Sequence, residues 1–561
     1  MITLGLKPYG HDTSAAIVVD GKIVAASSEE RFNREKHSRK FPRQAIKFCL
    51  KEAGVKNINK INEIAIGFDY LRLAFHLDVV GFFKYFPDYT KEAFSNGKYQ
   101  VMKVIDTKRI LRNEFGYKGR IKFLDHHDCH AAAVYYPSGF DDAAVLTVDG
   151  RGELASTRIY KVENGDFEKV YQLNYPNSLG AFYSCITEYL GFKDNEDEGK
   201  VMGLAPYGRD NLVKKMRKVL KASNGSYEVN LEYFDFPRFP EKNMSEKFIK
   251  LFGNPRNKGE ELTQRYKDVA RATQAVLEEA MFELARHTRK ISGKNKLCLT
   301  GGVALNSVAN GLITKQKIFD EIYIYPAAGD DGVSIGAALS SYYSNGGKRV
   351  NTKANQLPYL GYKATDNEIL KALEKNKLSY KKSKNVYKDV AVLLTKNKCI
   401  GWFQDRAEFG PRALGNRSIV VDPRRAKNKD LVNSKIKFRE AFRPFAPSVL
   451  EEHAEEYFDT DGVKSPYMIL AFDVEGSKRK VIPAVTHIDG TARVQTVNKN
   501  QNTSYWKLIN EFYKLTGVPV VLNTSFNRMG EPIVNTPDEA ITCFLGSGLD
   551  ALAMGDYLVV K

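Results

Sequence analysis

Residues 2–28, ITLGLKPYGHDTSAAIVVDGKIVAASS, carry the pattern from which the fold is read. Ile2–Leu6, Ala15–Val19 and Ile23–Ala26 are short apolar runs bounded by turn residues, and Asp20-Gly21 between the last two is the signature of a tight hairpin. Residues 143–162, AAVLTVDGRGELASTRIYKV, repeat the plan: Ala143–Asp149, Arg151–Glu153 and Thr157–Val162 read as strands around a second Asp-Gly turn at Asp149-Gly150. Two copies of strand–turn–strand in one half of a chain point to an internally duplicated mixed α/β fold.

Outward from these units, helices are expected near Arg43–Ala53, where Ile46, Leu50 and Ala53 recur at helical spacing, and over Val269–Lys290. A strand at Lys296–Leu299 hands over through Gly301-Gly302 to a helix from about Ala304, and Gly329-Asp330-Asp331-Gly332 opens a small-residue helix through Ala338. The segment 209–268 mixes Lys, Asn, Pro and aromatic residues without period, as an insertion does, and residues 343–356 have the composition of a linker. The expected division is therefore a domain over 1–345 and a second α/β domain over 357–561. A chain of 561 residues is too long for one core, and 43% hydrophobic with 27% charged residues is globular composition. The six cysteines stand far apart, which argues against a disulfide framework and a thiolate zinc site. With no membrane-length apolar run and no leader pattern at the start, a cytoplasmic protein is expected. The net charge of +18 comes from scattered residues and suits phosphorylated small molecules or an ordinary soluble surface.

Three groups of residues carry chemistry. His126 and His130, in HHDCH, lie four apart in a helix-compatible stretch, so both imidazoles project from one face and can grip one metal ion. Further ligands would come from the acidic turns at Asp149 and at Asp330 or Asp331, and a nitrogen and carboxylate set suits iron(II), manganese or zinc. Thr300-Gly301-Gly302-Val303-Ala304-Leu305-Asn306 sits at a strand-to-helix handover, where a phosphate can approach backbone N–H groups. It has neither dinucleotide-fold nor P-loop glycine order. The C-terminal half holds Arg412 and Arg417 in EFGPRALGNRS, Lys437, Arg439 and Arg443 in KFREAFRPFAPS, and Arg493 in TARVQTV. These cations sit among Phe, Pro, Gly and Leu rather than in an exposed charge run, and guanidinium groups bind phosphate bidentately.

As a set and in order, GHDTSAAIVVDG, EERFNREKHSRKFP, HHDCHAAAVYYPSGF, VDGRGE, GKVMGLAPYG, TGGVALN, GDDGVSIGAAL, EFGPRALGNRS, DPR, FRPFAPS and NTSFN resemble the NodU/CmcH family of O-carbamoyltransferases over essentially the whole chain. The resemblance implies an N-terminal actin-like ATPase (ASKHA) domain, similar to the tRNA threonylcarbamoyl-transfer proteins, followed by a YrdC-like α/β domain. It implies that carbamoyl phosphate and ATP, with Mg²⁺, give carbamoyl adenylate in the second domain. The first domain then transfers the carbamoyl group to a hydroxyl of a small-molecule natural product.

By motif, the same resemblance implies His126, His130, Asp149 and Asp330 as ligands of a divalent metal, iron(II) favoured. Gly301, Gly302, Asn306 and Lys200 would line the nucleotide pocket, and His11 and Asp12 would hold or deprotonate the acceptor hydroxyl. Arg412, Arg417, Lys437, Arg439, Arg443 and Arg493 would grip carbamoyl phosphate and ATP, and Ser525 and Asn527 resemble the polar turn of YrdC proteins, with Phe526 a departure from its usual small residue. A homodimer is expected by analogy. A tRNA threonylcarbamoyl-type enzyme, a non-catalytic actin-like nucleotide-binding protein and a sugar kinase are the rival readings. The fused halves and the histidine cluster weigh against them, so neither a nucleic acid nor a membrane partner is expected.

Overall fold

A computed structural model of the chain describes residues 1–76, 90–235, 243–350 and 353–561. Residues 236–242 of the expected insertion and 351–352 of the expected linker lie outside the described residues. The chain forms two compact units, one of Met1–Glu29 with His37–Gln356 and one of Glu30–Lys36 with Leu357–Lys561.

The first unit is built on two five-stranded sheets. In the first, β1 (Ile2–Lys7), β2 (Ser14–Val19), β3 (Lys22–Ser28), β4 (Glu63–Ile66) and β5 (Arg120–Phe123) lie in the order β3-β2-β1-β4-β5. In the second, β6 (Asp142–Val148), β7 (Ala155–Glu163) and β8 (Asp166–Asn174) form a meander. A separate two-stranded hairpin, β9 (Leu220–Ser223) and β10 (Ser226–Val229), follows in the chain. The second sheet is completed by β11 (Lys296–Thr300) and β12 (Glu321–Tyr323), giving β12-β11-β6-β7-β8. Each sheet opens with an antiparallel meander and continues through two parallel strands beside the first strand of that meander. The two sheets thus share one topology, and the unit is a duplicated mixed α/β architecture, as the repeated strand–turn–strand pattern leads one to expect. Parallel pairs need crossover helices, which buries β1, β2 and β6 almost throughout and accounts for their near-continuous apolar sequences.

The expected hairpin at Asp20-Gly21 is present, with φ of +48° and +79°, as a two-residue turn of the favoured hand requires. The second Asp-Gly turn behaves differently. Residues 151–154 are not a strand, and the meander resumes only at Ala155. The interruption has a chemical cause, because Glu153 in it turns inward to accept hydrogen bonds from the His126 and Asp69 N–H groups.

Helix Val333–Ser344 fixes the geometry that matters for function. Its Gly336 faces Cys129 of helix His126–Ser138 so closely that a Cβ would lie 1.7 Å from the Cys129 carbonyl oxygen. No other residue permits that approach. The run of Gly, Ala and Ser in VSIGAALSS therefore reads as a contact surface, and it delivers the acidic turn at its start to the histidines. Helix Gln264–Ser292 is longer than expected and buries Val269, Ala270, Leu277, Ala280, Met281 and Leu284.

The second unit holds β13 (Lys381–Lys382), β14 (Ile400–Phe403), β15 (Arg417–Val421), β16 (Ala446–Leu450), β17 (Leu470–Asp473), β18 (Thr491–Val497), β19 (Val520–Ser525), β20 (Ala551–Met554) and β21 (Tyr557–Val560). They form one mixed nine-stranded sheet in the order β13-β21-β20-β14-β15-β19-β16-β18-β17. Its centre, β14 and β15, is fully buried. Among the described residues no helix is long and apolar enough to cross a membrane.

Candidate functional site

The histidine pair heads helix His126–Ser138, whose N-cap is Asp125. The Asp125 carboxylate accepts the N–H groups of His127 and Asp128 and is held in turn by Arg158. One helical turn then places the Nε2 atoms of His126 and His130 3.1 Å apart. His126 Nδ1 lies 3.3 Å from the Gly67 carbonyl oxygen, which fixes the ring and leaves Nε2 as the coordinating atom. Asp149, at the end of β6, brings Oδ2 to 3.2 Å from His126 and 3.8 Å from His130. Asp330 brings Oδ1 to 3.5 Å and 3.7 Å from the same atoms. All four ligand atoms lie within 4.8 Å of one another. Donors about 2.1 Å from one ion stand roughly 3.0–3.4 Å apart, so this buried N₂O₂ set fits a divalent cation. Asp331, the alternative ligand, turns its carboxylate onto the Gly332 N–H.

The same four groups set one another's charge when no ion is bound. Burial opposes ionisation of Asp330, yet Lys7, His11 and His126 hold its carboxyl well below the usual range. Burial likewise opposes charge on His126, and Asp330 and Asp149 overcome it and raise the imidazole well above its ordinary value. His127 points the other way, to Thr147 and the Ala155 carbonyl, and burial keeps it neutral with a pKa of about 3. His130 Nδ1 is buried without a hydrogen-bond partner.

The glycine turn is tied to this centre. Gly302 N–H donates to Asp149 Oδ1 at 2.8 Å. Gly301 has φ +95°, and a Cβ there would lie 2.2 Å from the Val148 carbonyl oxygen. Asn306 caps helix Ser307–Lys315 and exchanges hydrogen bonds with Gln274, so its amide is committed to the fold. Lys200 pairs with Asp197 at 3.0 Å. On the opposite side of Asp330, His11 Nε2 is 3.9 Å from Oδ2, and Asp12 is clamped between His11 at 2.9 Å and His37 at 2.8 Å. The sequence reading did not single out Lys7, His37, Asp125, Glu153 or Arg158. Lys7 had one available signal, a cation ending an apolar strand.

In the second unit a buried carboxylate shapes the EFGPRALGNRS loop. Glu408 Oε1 accepts the N–H groups of Leu414, Asn416 and Arg417. Arg31 donates to the Gly410 carbonyl at 2.9 Å. The loop presents Arg412 beside Arg443, while Arg439, Arg443 and Arg412 all act on Arg493. Burial and these like charges together weaken Arg412, Arg439 and Arg493, driving Arg493 well below its ordinary value. The Nε groups of Arg412 and Arg493 are buried with no hydrogen-bond partner. Guanidinium groups grouped in this way, two of them with buried unused donors, have the chemistry to hold a multiply charged anion.

Lys437 is nearby in character but differently used. Its Nζ donates to the carbonyl and Oγ of Ser525 and to the carbonyl and Oδ1 of Asn527, bracing the NTSFN turn. Arg417 stands apart. It donates to the carbonyls of Tyr362, Gln404, Asp405 and Asn416 and stacks 3.7 Å from the Phe403 ring centroid, so its terminal N–H groups are spent on backbone while its Nε is buried without a partner.

Comparison with known proteins matches residues 2–339 to the carbamoyltransferase N-terminus family model and residues 391–561 to the carbamoyltransferase C-terminus model. The chain belongs to the carbamoyltransferase family. This carbamoyltransferase is 38% identical to nodulation protein NolNO of Sinorhizobium fredii over 99% of its own length and 79% of that protein. It is 39% identical to nodulation protein NolO of Bradyrhizobium diazoefficiens, over 78% of this chain and 79% of that one. An uncharacterised Synechocystis protein is 38% identical over 100% and 96% of the two chains. Among solved structures, HypF of T. kodakarensis superposes with a TM-score of 0.32 at 14% identity, covering 63% of this chain and 49% of that one.

Proposed function

We propose that this carbamoyltransferase is an ATP-dependent O-carbamoyltransferase working in two stages, with the anion site in a YrdC-like C-terminal domain. In the first stage water displaces phosphate from carbamoyl phosphate. A carbamate oxygen then attacks the α-phosphorus of ATP, with Mg²⁺, and pyrophosphate leaves. The single observation that carries this reading is the convergence of Arg412, Arg439, Arg443 and Arg493, with two buried unpartnered Nε groups. A site that must hold carbamoyl phosphate and a triphosphate at once needs several convergent cations, and here four arginines meet one nearby carboxylate, Glu440, 3.9 Å from Arg443.

In the second stage an acceptor hydroxyl attacks the carbamoyl carbon, the C–O bond to the adenylate phosphate breaks, and AMP departs. His126, His130, Asp149 and Asp330 would hold a divalent metal, iron(II) favoured, which supplies charge neutralisation for the phosphate. His11 takes the hydroxyl proton. Its basicity is raised, against burial, by Asp330 and by Asp12, and Asp12 fixes the ring by accepting from Nδ1. Gly301 packs tightly against Val148 and Gly302 holds Asp149, so the turn shapes the edge of this centre, where the nucleotide would lie. The acceptor is a hydroxylated small molecule.

The test needs no acceptor. With ATP, Mg²⁺ and carbamoyl phosphate the protein should release pyrophosphate and catalyse ATP–pyrophosphate exchange only when carbamoyl phosphate is present. ATP hydrolysis to ADP without exchange would refute the adenylate.

A further inference from the structure

Lys7 ends β1 with its side chain only 3% exposed, and its ammonium group has three partners. Nζ donates to the Tyr9 carbonyl at 2.8 Å, the His11 carbonyl at 3.2 Å and Asp330 Oδ2 at 2.8 Å. A lysine has three N–H groups, so every donor is used. The consequence falls on Asp330. Its Oδ1 faces His126 and His130, while its Oδ2 is taken by Lys7 and approached by His11 from 3.9 Å.

We infer that Lys7 is a positioning residue of the metal centre, restricting Asp330 to ligation through one oxygen and giving the loaded centre a net positive charge for a phosphate-bearing substrate. This rests on the metal reading above. Two neutral imidazoles and two carboxylates exactly offset a divalent ion's charge in sign and size, so without Lys7 the loaded centre is neutral and has no electrostatic preference for an anion. With Lys7 it carries one positive charge in a buried place, where such charges are felt strongly. A carboxylate confined to one oxygen also leaves room among the ligands for an oxygen of the substrate. The same ammonium group anchors the backbone of Tyr9 and His11, so the loop carrying the proposed base and the metal ligand Asp330 are held by one side chain.

Charge and chelation pull the measurable consequences in opposite directions, which separates this role from a merely structural one. The experiment uses the full chain loaded with Co²⁺, whose visible spectrum reports coordination number, with AMP titrated against that spectrum so that only binding at the metal is read. In Lys7→Met, Co²⁺ should bind at least ten-fold more tightly, with weaker visible absorption as Asp330 gains a second contact. AMP should bind at least ten-fold more weakly. Lys7→Gln, which can still donate to the Tyr9 and His11 carbonyls, is the companion should the methionine variant not fold. It should show the same opposed shifts, because it too removes the charge. Weakening of both ligands together, or no change in either, would overturn the inference while leaving the metal centre in place. Failure of the unmutated protein to bind Co²⁺ would remove the centre itself.

Discussion

Replacing Arg493 with methionine should make the protein more stable and less active at the same time. Arg493 lies among Arg412, Arg439 and Arg443 with its Nε buried and unpartnered, and its Nη2 makes a 3.8 Å contact to the Met468 sulfur. A buried donor left unsatisfied costs about 1–3 kcal/mol. Because the side chain is only partly buried, the lower part of that range, about 1–2 kcal/mol, is the expected gain when a methionine of similar length replaces it. For a unit of this size about 1 kcal/mol moves the midpoint by roughly 2–4 °C, so the unliganded variant should melt about 2–8 °C higher. The assay is calorimetry with and without pyrophosphate. Ligand at a hundred times its Kd should stabilise the unmutated protein by about 2.7 kcal/mol, and much less the variant. Pyrophosphate exchange should fall by about 10²–10³-fold, as when one charge-stabilising donor is removed. A variant that melts lower and responds normally to pyrophosphate would show that the arginines hold the fold and not an anion.

Arg417 gives the converse case, since Arg417→Leu strands the carbonyls of Tyr362, Gln404, Asp405 and Asn416. It should cost about 3–5 kcal/mol in denaturant unfolding, with KM values for any surviving enzyme unchanged. Gly301→Ala forces a side chain into φ +95° and toward the Val148 carbonyl. A loss of about 1–3 kcal/mol or more, read by thermal melting, is expected, together with reduced metal content because the same turn holds Asp149. Chelation of the metal should lower the melting midpoint of the N-terminal unit and leave pyrophosphate exchange intact. Equal loss of both would speak against two separate chemistries.

Much of this was legible in the residues. Apolar runs around Asp20-Gly21 identify β2 and β3, and the four-residue spacing of His126 and His130 identifies one helix face, because both patterns are local. What depends on distant partners was not. Arg412 and Arg417 stand five positions apart in one motif, yet Glu408 turns the first toward the other arginines, while the second begins β15 and faces backbone carbonyls. Asp330 and Asp331 are neighbours, and only the docking of helix Val333–Ser344 against Cys129 decides which reaches the histidines. Arg151–Glu153 looked like a strand because its role, holding the His126 N–H, involves a residue well before it in the chain. Lys7 shows in the sequence only as a cation ending an apolar strand, because its partner is the distant Asp330.

The central claim, that adenylate formation and carbamoyl transfer belong to different residue sets, is tested most directly by one pair of variants in one assay. Carbamoyl phosphate-dependent ATP–pyrophosphate exchange should persist at the unmutated rate in His130→Ala, which lacks a metal ligand, and fall by about 10²–10³-fold in Arg493→Met. A comparable loss of exchange in both, or an unchanged rate in Arg493→Met, would contradict the account.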